Sequence, residues 1–385
     1  MKFGSVDSGA LAAFSRGDWR GAGEQLDAAI RGGGGDAETF ALLADCRRRL
    51  DESSAAHEAA ERALAIDPRN LRATLVKADL LVGEGKRREA NFYHGVALEI
   101  AAEGGVTPDL RDGVHRAQAA RAAVQADLQA LVQEELREAG YREGRSSPRF
   151  TLALDVLMGR KQPYFQQPTA FYYPGLPNLE FYPREQFPWL DAVEAEVEAM
   201  TTELEGVLRD EATFAPYLRP AAGIPGLADY PLINSMDWST CSLWKSGAET
   251  AMAARCPRTM AALAEAPLCR VKARSPEVMF SQLRAGAHIR PHTGVANTRL
   301  ICHVPLIVPS DCVFRVGNDV REWEKGRGWV FDDTIEHEAR NGSDRTRVIL
   351  MFDIWRPELG EEERLLVSAL LEAMDAYSPH PGAHG

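Results

Sequence analysis

The chain has 385 residues, enough for two or three domains, and its 45% hydrophobic and 26% charged residues are typical of a globular protein. A net charge of −12 argues against nucleic-acid partners and anionic membrane surfaces, since both attract basic proteins. No apolar stretch approaches the ~20 residues of a membrane helix, and the N-terminal residues lack a secretory pattern. The six cysteines form no CxxC pair, which is typical of free thiols in a reducing compartment. We therefore expect a cytoplasmic protein without a nucleic-acid or membrane partner.

The first hundred residues repeat with a period of 34. A helix-turn-helix unit of this length is typical of tetratricopeptide repeats, in which small residues let paired helices approach closely. We predict three repeats, 3–34, 35–68 and 69–103, with Asn70 capping a helix of the third. A further helix over 109–139 is expected to cover the end of the stack with one apolar face, which includes Val114, Ala117, Val124, Leu128 and Leu131. Each unit carries alanine at one position and a turn-forming residue at another: Ala10, Ala44 and Ala78, and Gly17, Asp51 and Gly85.

Two uses of the repeats stay open at this stage. Such arrays usually bind peptides or proteins on their concave face, and a rigid spacer or a dimer surface is the alternative.

Residues 160–177 are dense in proline, glutamine and aromatic side chains. Proline at this density excludes long helices and central strands, and so much aromatic surface predicts an ordered extended segment packed on the following domain. This segment either lines a substrate groove or is a strap without substrate contact. Apolar residues at helical spacing then predict an amphipathic helix over 189–210.

From residue 237 the pattern changes to short strands joined by turns rich in glycine, asparagine, aspartate and proline. Many short strands without helices between them predict an antiparallel barrel or double sheet, closed by a helix over 361–377. The predicted strands are 240–245, 277–283, 300–308, 312–316, 328–331 and 346–355. The predicted domains are a helical repeat domain, a connecting segment, a β domain and a disordered tail: 1–140, 141–185, 186–377 and 378–385.

Alternation along these strands sorts the polar side chains. Arg299, Ile301 and His303 share one face of their strand, and Arg347 shares a face of the last strand with apolar residues. A buried arginine flanked by apolar residues needs an acceptor, and a guanidinium binds a carboxylate in bidentate fashion. A bound dicarboxylate inside the barrel would be one such acceptor.

Histidines in the same region indicate a metal. His288 and His292 are four residues apart, but Pro291 between them argues against a helical metal-binding pair. His292 and His337 are expected in loops that follow strands, each with an arginine on the strand that comes next. We interpret the pair as candidate metal ligands beside the candidate anion site.

Five motifs in this region occur in a fixed order: Arg290-Pro-His-Thr-Gly294, Arg299-Leu-x-x-His303, Phe331-Asp-Asp-x-x-Glu-His-Glu338, Arg347, and Asp353-x-Trp-x-Pro-Glu-Leu359. Together they resemble the aspartyl/asparaginyl β-hydroxylase family of Fe(II)- and 2-oxoglutarate-dependent oxygenases. Vertebrate members also carry tetratricopeptide repeats before the catalytic domain. The resemblance thus implies a multidomain fold: an α-helical tetratricopeptide solenoid followed by a double-stranded β-helix, a jelly-roll or cupin-like oxygenase domain.

The resemblance implies that His292 and His337 bind the Fe(II). Most related oxygenases add a carboxylate two residues after the first histidine, whereas this family manages with two histidines and this chain has Gly294 there. Four acidic residues flank His337, and we interpret them as supporting or turn residues: Asp332, Asp333, Glu336 and Glu338.

The resemblance also implies the cosubstrate residues. Arg347 and Ser281 bind the distal carboxylate of 2-oxoglutarate, and His303 meets the carboxylate nearer the metal. Arg299 faces the carboxylate or amide of the substrate side chain. For both arginines a structural ion pair is the alternative.

The implied reaction hydroxylates the β-carbon of an Asp or Asn residue in a peptide or protein, consumes O2 and yields succinate and CO2. The repeats are expected to help engage such a substrate. Family members carry a second arginine where this chain has Ile301, which puts the grip on the inner carboxylate, or on an acidic substrate, in question. Two alternatives stay open: the same chemistry on a small molecule or peptide natural product, and a repeat scaffold with an inactive barrel.

Overall fold

A computed structural model describes residues 8–219 and 230–377, and the structural statements below refer to these residues. The chain separates into two compact units, Met1–Thr151 and Leu152–Gly385. The start of the first predicted repeat and the predicted disordered tail lie outside the described residues. The domain limits drawn from the sequence stay predictions.

Antiparallel helix pairs build the first unit, as the repeat predicted. The alanines that recur every 34 residues are buried where the helices meet, and Ala10, Ala44 and Ala78 are at most 1% exposed. A methyl side chain at these positions lets the helix backbones approach closely. The helices are α1 Ser8–Ser15, α2 Trp19–Arg31, α3 Ala37–Arg49, α4 Ser53–Ile66, α5 Leu71–Gly83, α6 Arg87–Gly104 and α7 Arg111–Glu138.

The turn residues of the repeat share one backbone conformation. Gly17, Asp51 and Gly85 all have positive φ, at 79°, 60° and 75°, a region that glycine and aspartate enter more readily than most residues. Asn70 caps α5 by accepting a hydrogen bond from the backbone N–H of Ala73 at 2.9 Å.

The helix α7 covers the end of the repeats only in part. Val114 and Ala117 near its start are buried in a cluster with Leu75. Val124, Leu128 and Leu131, which the apolar spacing assigned to the same face, are 37–60% exposed. The helix is longer than the stack end that it contacts, so its second half projects an apolar stripe.

A short helix, α8 Pro148–Leu157, precedes the extended segment and was not predicted. The segment itself is ordered and packed on the β domain, as expected. Backbone N–H groups of Gln167 and Thr169 donate to the carbonyls of Thr334 at 2.7 Å and of Gly294 at 2.9 Å. It therefore straps the loops that surround the candidate histidines.

Two antiparallel sheets form the second unit. The larger has the order β1-β2-β4-β11-β6-β9, with β3 paired to β2, and the smaller has the order β5-β10-β7-β8. The mostly antiparallel architecture is as predicted, and its finer description as a double-stranded β-helix stays a prediction. The strands are β1 Ala215–Pro216, β2 Trp238–Lys245, β3 Ala248–Glu249, β4 Val278–Leu283, β5 His288–His292, β6 Arg299–Ile307, β7 Cys312–Val316, β8 Asp319–Glu322, β9 Trp329–Phe331, β10 His337–Asn341 and β11 Arg347–Trp355.

Each face of the larger sheet has its own apolar core. One face packs on helices, where Leu190, Met200 and Leu204 meet Phe280 and Val304. The opposite face shares a core with the smaller sheet. The predicted helix over 189–210 is divided at Glu196, yet its apolar positions are buried as the spacing required. The remaining helices of this unit are α9 Leu190–Ala195, α10 Val197–Leu208, α11 Pro257–Ala262 and α12 Glu361–Tyr377. Within the described residues no helix is long and apolar enough to cross a membrane.

A buried ion pair holds the strap to the β domain. Arg356 and Asp332 lie 2.9 Å apart, and neither side chain is exposed. The same guanidinium donates to the carbonyls of Asn297 at 3.0 Å and of Pro177 at 2.7 Å, and to the hydroxyl of Tyr182. One arginine thus joins the strap, the loop before β6 and the loop before β10.

We expect Arg356→Met to lower the free energy of unfolding of the second unit by about 3–5 kcal/mol, because it leaves the Asp332 carboxylate buried without a cation. Arg327→Met is the control, since its ion pair with Glu324 is largely exposed and should cost no more than about 1 kcal/mol. Urea denaturation followed by tryptophan fluorescence measures both, because Trp19 is the one tryptophan outside this unit. Equal losses would contradict the structural role of Arg356.

Candidate active site

The two candidate metal ligands face each other across a pair of strands. His292 ends β5, His337 begins β10, and the two residues are register partners with ring centroids 4.1 Å apart. The sequence interpretation placed both in loops after strands, and that placement was wrong. Strand pairing fixes the backbone of both histidines, which gives the pair a more rigid position than a loop could.

Backbone carbonyls orient both imidazoles. The Nδ1–H of His292 donates to the carbonyl of Arg290 at 2.8 Å, and that of His337 donates to the carbonyl of Ile335 at 3.0 Å. A carbonyl only accepts hydrogen bonds, so each Nδ1 carries the proton and each Nε2 keeps a lone pair. Burial lowers the pKa of His292, and burial together with the charge of His292 holds the pKa of His337 well below its usual range. Both rings are therefore suited to bind a metal.

Gly294 packs closely against Asp333. A Cβ at this position would overlap the carboxylate of Asp333, and the backbone N–H of Gly294 donates to the carbonyl of Asp333 at 2.6 Å. A carboxylate side chain cannot occupy position 294 while Asp333 stays in place. Among the described residues no cluster of three or more His, Cys, Asp or Glu side chains has the spacing of a metal site.

The acidic residues that flank His337 have other partners. Asp332 pairs with Arg356, and Glu336 and Glu338 both bind Arg315. Asp333 lies 3.5 Å from Arg299. These contacts agree with the interpretation of the four carboxylates as supporting residues.

At one end of the cavity, Arg347 is a buried cation that has no carboxylate partner among the described residues. Arg347 is 1% exposed, donates to the backbone carbonyl of Ser281 at 3.3 Å and stacks over the ring of Trp323. No ion pair forms to it from the described residues, and its Nε has no hydrogen-bond partner there. Burial lowers the pKa of Arg347 to about 10, which still leaves it charged at neutral pH. A buried guanidinium in this state needs an anion.

His303 and Ser281 lie at the same end. Burial, with the charge of Arg347, holds the pKa of His303 well below its usual range, and its Nδ1 is buried without a partner in the described structure. The Oγ of Ser281 accepts a hydrogen bond from the indole N–H of Trp238 at 3.3 Å. Phe314 and Phe331 pack on the His303 ring, so this end of the cavity is apolar except for the groups that could bind an anion.

Arg299 has carboxylate partners, unlike Arg347. Its Nη1 donates to Asp353 at 3.1 Å, and its Nη2 lies 3.5 Å from Asp333. Burial alone would lower the pKa of Arg299, but the two carboxylates outweigh it and raise that pKa. Its assignment to the substrate stays a prediction, and the ion pair that was the alternative is present.

Three carboxyl groups beside Arg299, those of Asp333, Glu277 and Asp353, have raised pKa values, and burial is the main cause for each. Burial raises the pKa of Asp333 to about 7, and burial raises that of Glu277 to about 7 as well. The backbone N–H of Glu277 donates to Asp353 at 2.7 Å, which places Glu277 at the same end of the cavity. Ile301 is the register partner of both Asp353 and Phe331 and is 8% exposed. Its side chain is aliphatic, so it provides no cation for the carboxyl groups around Arg299.

One cavity of about 460 Å³ connects both ends. No residue of the strap, 160–177, lines it, so the strap supports the site without forming its wall. The wall includes residues that sequence reasoning missed, among them Tyr217, Trp238 and Glu277. Asp353 could have been predicted from strand alternation. It lies six residues after Arg347 on β11, so both side chains are on the same face of the strand. All six predicted site residues line this cavity: Ser281, His292, Arg299, His303, His337 and Arg347.

Residues 194–357 match the model of a family described as aspartyl/asparaginyl beta-hydroxylase, and the six predicted site residues lie inside that match. This segment belongs to the aspartyl/asparaginyl β-hydroxylase family. Its hydroxylase relatives include two named aspartyl/asparaginyl beta-hydroxylase, from Mus musculus at 33% identity over 169 residues and from Homo sapiens at 31% over 188 residues. The matches cover 43% and 48% of this chain but only 22% and 24% of those proteins.

One of the similar proteins is bacterial, and its name describes an enzyme that hydroxylates a lipid. The ornithine lipid ester-linked acyl 2-hydroxylase of Rhizobium tropici is 31% identical over 189 residues, which cover 48% of this chain and 63% of that protein. The helical unit aligns with the translocator chaperone SycD of Yersinia enterocolitica at 19% identity and a TM-score of 0.27, over 31% of this chain.

The contrast between the two arginines predicts opposite effects on stability. We expect Arg347→Met to raise the free energy of unfolding of the protein without added cosubstrate by about 1–4 kcal/mol, because an apolar side chain replaces an unpaired buried charge. We expect Arg299→Met to lower it by about 2–4 kcal/mol, because Asp353 and Asp333 lose their cation. Urea denaturation of both variants is the measurement. If Arg347→Met lowered the free energy of unfolding as much as Arg299→Met, the prediction that Arg347 has no stabilising partner in the folded protein would be wrong.

The raised pKa of Glu277 predicts a pH-dependent effect. The folded protein holds this proton up to about pH 7, whereas the unfolded chain loses it near the ordinary value of 4.5, so ionisation of Glu277 opposes folding as pH rises through this window. Glu277→Gln should therefore stabilise the protein more at pH 8 than at pH 5, by a difference of ~1–3 kcal/mol. Melting temperatures at both pH values test this, with the exposed Glu249→Gln as control. A gain that is the same at both pH values would contradict it.

Proposed function

We propose that this protein is an Fe(II)- and 2-oxoglutarate-dependent dioxygenase that hydroxylates the β-carbon of Asp or Asn residues in a peptide or protein. Succinate and CO2 are the coproducts. The observation that carries the proposal is the presence, in one cavity, of two histidines with free Nε2 lone pairs and a buried arginine without a carboxylate partner in the described residues.

The donor set fits both groups. His292 and His337 would hold the iron through Nε2, because their Nδ1 protons are already donated to backbone carbonyls. Two protein ligands leave several coordination positions open for a chelating cosubstrate and O2. When bound, iron and 2-oxoglutarate supply the oxidising chemistry, in which one oxygen atom of O2 enters the substrate C–H bond and the other enters succinate.

The other end of the cavity fits the rest of 2-oxoglutarate. Arg347 and Ser281 would bind its distal carboxylate, and His303 would bind the carboxylate nearer the metal. Arg347 is shielded from water by Trp323 and the surrounding sheet, so its pairing with an anion would be strong. The aromatic rings of Phe314 and Phe331 keep this end dry.

A peptide or protein substrate accords with the family of the catalytic segment and with the helical repeat unit. We propose the repeats as the surface that engages this substrate outside the cavity. The inactive-scaffold alternative is disfavoured, because the cavity retains the complete donor set of Ser281, His292, His303, His337 and Arg347.

A second candidate is the same chemistry on a small molecule, either a lipid or a peptide natural product. The observation that favours it is the similarity to the Rhizobium tropici acyl 2-hydroxylase, of which the match covers a larger share than of the vertebrate proteins. Oxygen incorporation into an acyl chain instead of a peptide would decide for this candidate.

The test is succinate formation from 2-oxoglutarate by the full chain with Fe(II) and ascorbate under air, with and without a library of Asp- and Asn-containing peptides. His337→Ala should abolish turnover. Arg347→Met should weaken the apparent affinity for 2-oxoglutarate by ~10²–10³-fold, because a buried charge pair is lost. His288→Ala is the matched control, since this exposed histidine lies on the same strand as His292 and pairs with Glu338, and it should keep near-normal turnover.

Anaerobic binding of 2-oxoglutarate to the iron-loaded protein provides a readout that does not need the substrate. Binding that Arg347→Met removes and His288→Ala retains supports the proposal. Absence of both binding and turnover in the unmodified protein would refute it and favour the scaffold.

A further inference from the structure

The helix α12 is apolar on its exposed side as well as on its buried side. Val367 and Leu371 pack into a core with Trp355. A surface helix normally presents charged residues to water, but the large apolar side chains on the outward side of α12 are 42–93% exposed. These side chains recur at helical spacing with alanines between them: Leu365, Leu366, Leu370, Met374 and Tyr377, with Ala369, Ala373 and Ala376.

The charged residues within this part of α12 are bound to the protein's own surface. Glu372 and Asp375 are the two charged residues in the range 365–377. Glu372 accepts a hydrogen bond from the backbone N–H of Lys272 at 3.2 Å, and Asp375 accepts one from Arg274 at 2.9 Å. The outward side of α12 therefore carries no charge for ~3.5 turns.

The exposed patch is large enough to bind a second copy of the chain. Side chains with these exposures form an apolar patch of roughly 500–700 Å², at or above the upper limit for monomeric proteins. Two such patches in contact bury ~1,000–1,400 Å², which reaches the size of a specific protein interface. Because a two-fold interface uses the same patch on both copies, it needs no other complementary surface.

Unpaired charges near the two ends of α12 favour an antiparallel arrangement. Glu361 and Glu362, in its first turn, form no ion pair within the described residues. Near the other end, a basic segment, 270–274, runs along the side of α12 that carries Glu372, and Lys272 of this segment has no carboxylate partner in the described part of the chain. Glu361 lies on that same side by helical periodicity. An antiparallel pair places the acidic turn of one copy beside the basic segment of the other, whereas a parallel pair brings the two acidic turns together.

We propose that a second copy of this chain docks on the exposed side of α12, with the two helices antiparallel about a two-fold axis near Leu370. The contact is apolar in the middle, and at each end Glu361 of one copy pairs with Lys272 of the other. A membrane surface is the less favoured occupant, because the acidic first turn borders the patch and the net charge of −12 opposes binding to anionic lipid. The dimer does not depend on the proposed hydroxylase function, so each can be tested without the other.

Sedimentation velocity of the full chain measures the dimer directly, and we expect a Kd on the order of 10 μM or tighter. Leu366→Glu places a carboxylate of each copy in the apolar contact and should weaken the dimer at least ~30-fold. Leu157→Glu is the matched control, since this leucine is 76% exposed on α8, and it should leave the dimer unchanged. Because Leu366 is itself 63% exposed, neither variant should lower the melting temperature.

Three outcomes would overturn the proposal. The first is a chain that stays monomeric at about 100 μM. The second is a dimer that Leu366→Glu leaves intact or that Leu157→Glu weakens equally. The third is a monomer that binds vesicles of phosphatidylcholine and phosphatidylglycerol and loses this binding in Leu366→Glu, which would assign the patch to a membrane.

Cysteine pairing tests the orientation. Leu370 lies beside its counterpart in the antiparallel pair, so Leu370→Cys should form a disulfide between copies under mild oxidation. Glu361→Cys should not, because its counterparts lie ~27 Å apart along the helices at 1.5 Å per residue. The six native cysteines are buried, which keeps the background low. Linkage through both variants would contradict the antiparallel arrangement, and linkage through neither would place the interface away from α12.

Discussion

A guanidinium buried in an apolar core is the constraint on which this β domain depends. Arg347 lies between Trp323 and the inward face of the larger sheet, and no described carboxylate compensates its charge. A sequence selected for stability alone would place an apolar side chain here, because unpaired buried charges oppose folding. An anion that binds to Arg347 during function would offset this loss of stability. The neighbouring His303 and Ser281 add further polar atoms at the same end, so the fold concentrates its unsatisfied polarity in one region.

The same strand, β11, connects that region to Arg299 and the carboxyl groups around it at the other, outer end of the cavity. Arg347 and Asp353 both point inward from β11, and the histidine pair on β5 and β10 lines the same cavity from the smaller sheet. Arg347 is buried at one end, and Arg299 lies beside Asp333 and Asp353 at the other. The Arg356–Asp332 pair fixes the loop between β9 and β10 that carries Asp333, so the strap stabilises this outer end from behind the cavity wall.

Sequence patterns predicted the parts of the fold that depend on local periodicity. The 34-residue repeat located the helix pairs, and apolar alternation located β4, β6, β7 and β11 within one or two residues. The strands β5 and β10 were not predicted. Their sequences, His288-Ile-Arg-Pro-His292 and His337-Glu-Ala-Arg-Asn341, are mostly polar and partly exposed, so they lack the alternation of apolar and polar residues that identifies a strand. Their missed pairing is the reason that both histidines were assigned to loops.

The candidate site residues came from motifs and were brought together in one cavity, but their partners depend on long-range register. Arg299 meets Asp353 and Asp333, whereas Arg347 meets no carboxylate of the residues that the structure describes. This difference depends on which strands are adjacent, and the patterns of a single sequence do not reveal that. The exposed second half of α7 shows the converse error. Apolar spacing predicted a buried face there, yet the length of the stack limits how much of the helix can be covered.

A crystal structure of the full chain with Mn(II) in place of Fe(II) and with 2-oxoglutarate, grown without oxygen, tests the central claim most directly. The account predicts one metal bound by Nε2 of His292 and of His337 with no third protein ligand, and the distal carboxylate of 2-oxoglutarate on Arg347. A metal bound elsewhere, or Arg347 paired with a protein carboxylate while 2-oxoglutarate is absent from the cavity, would contradict it.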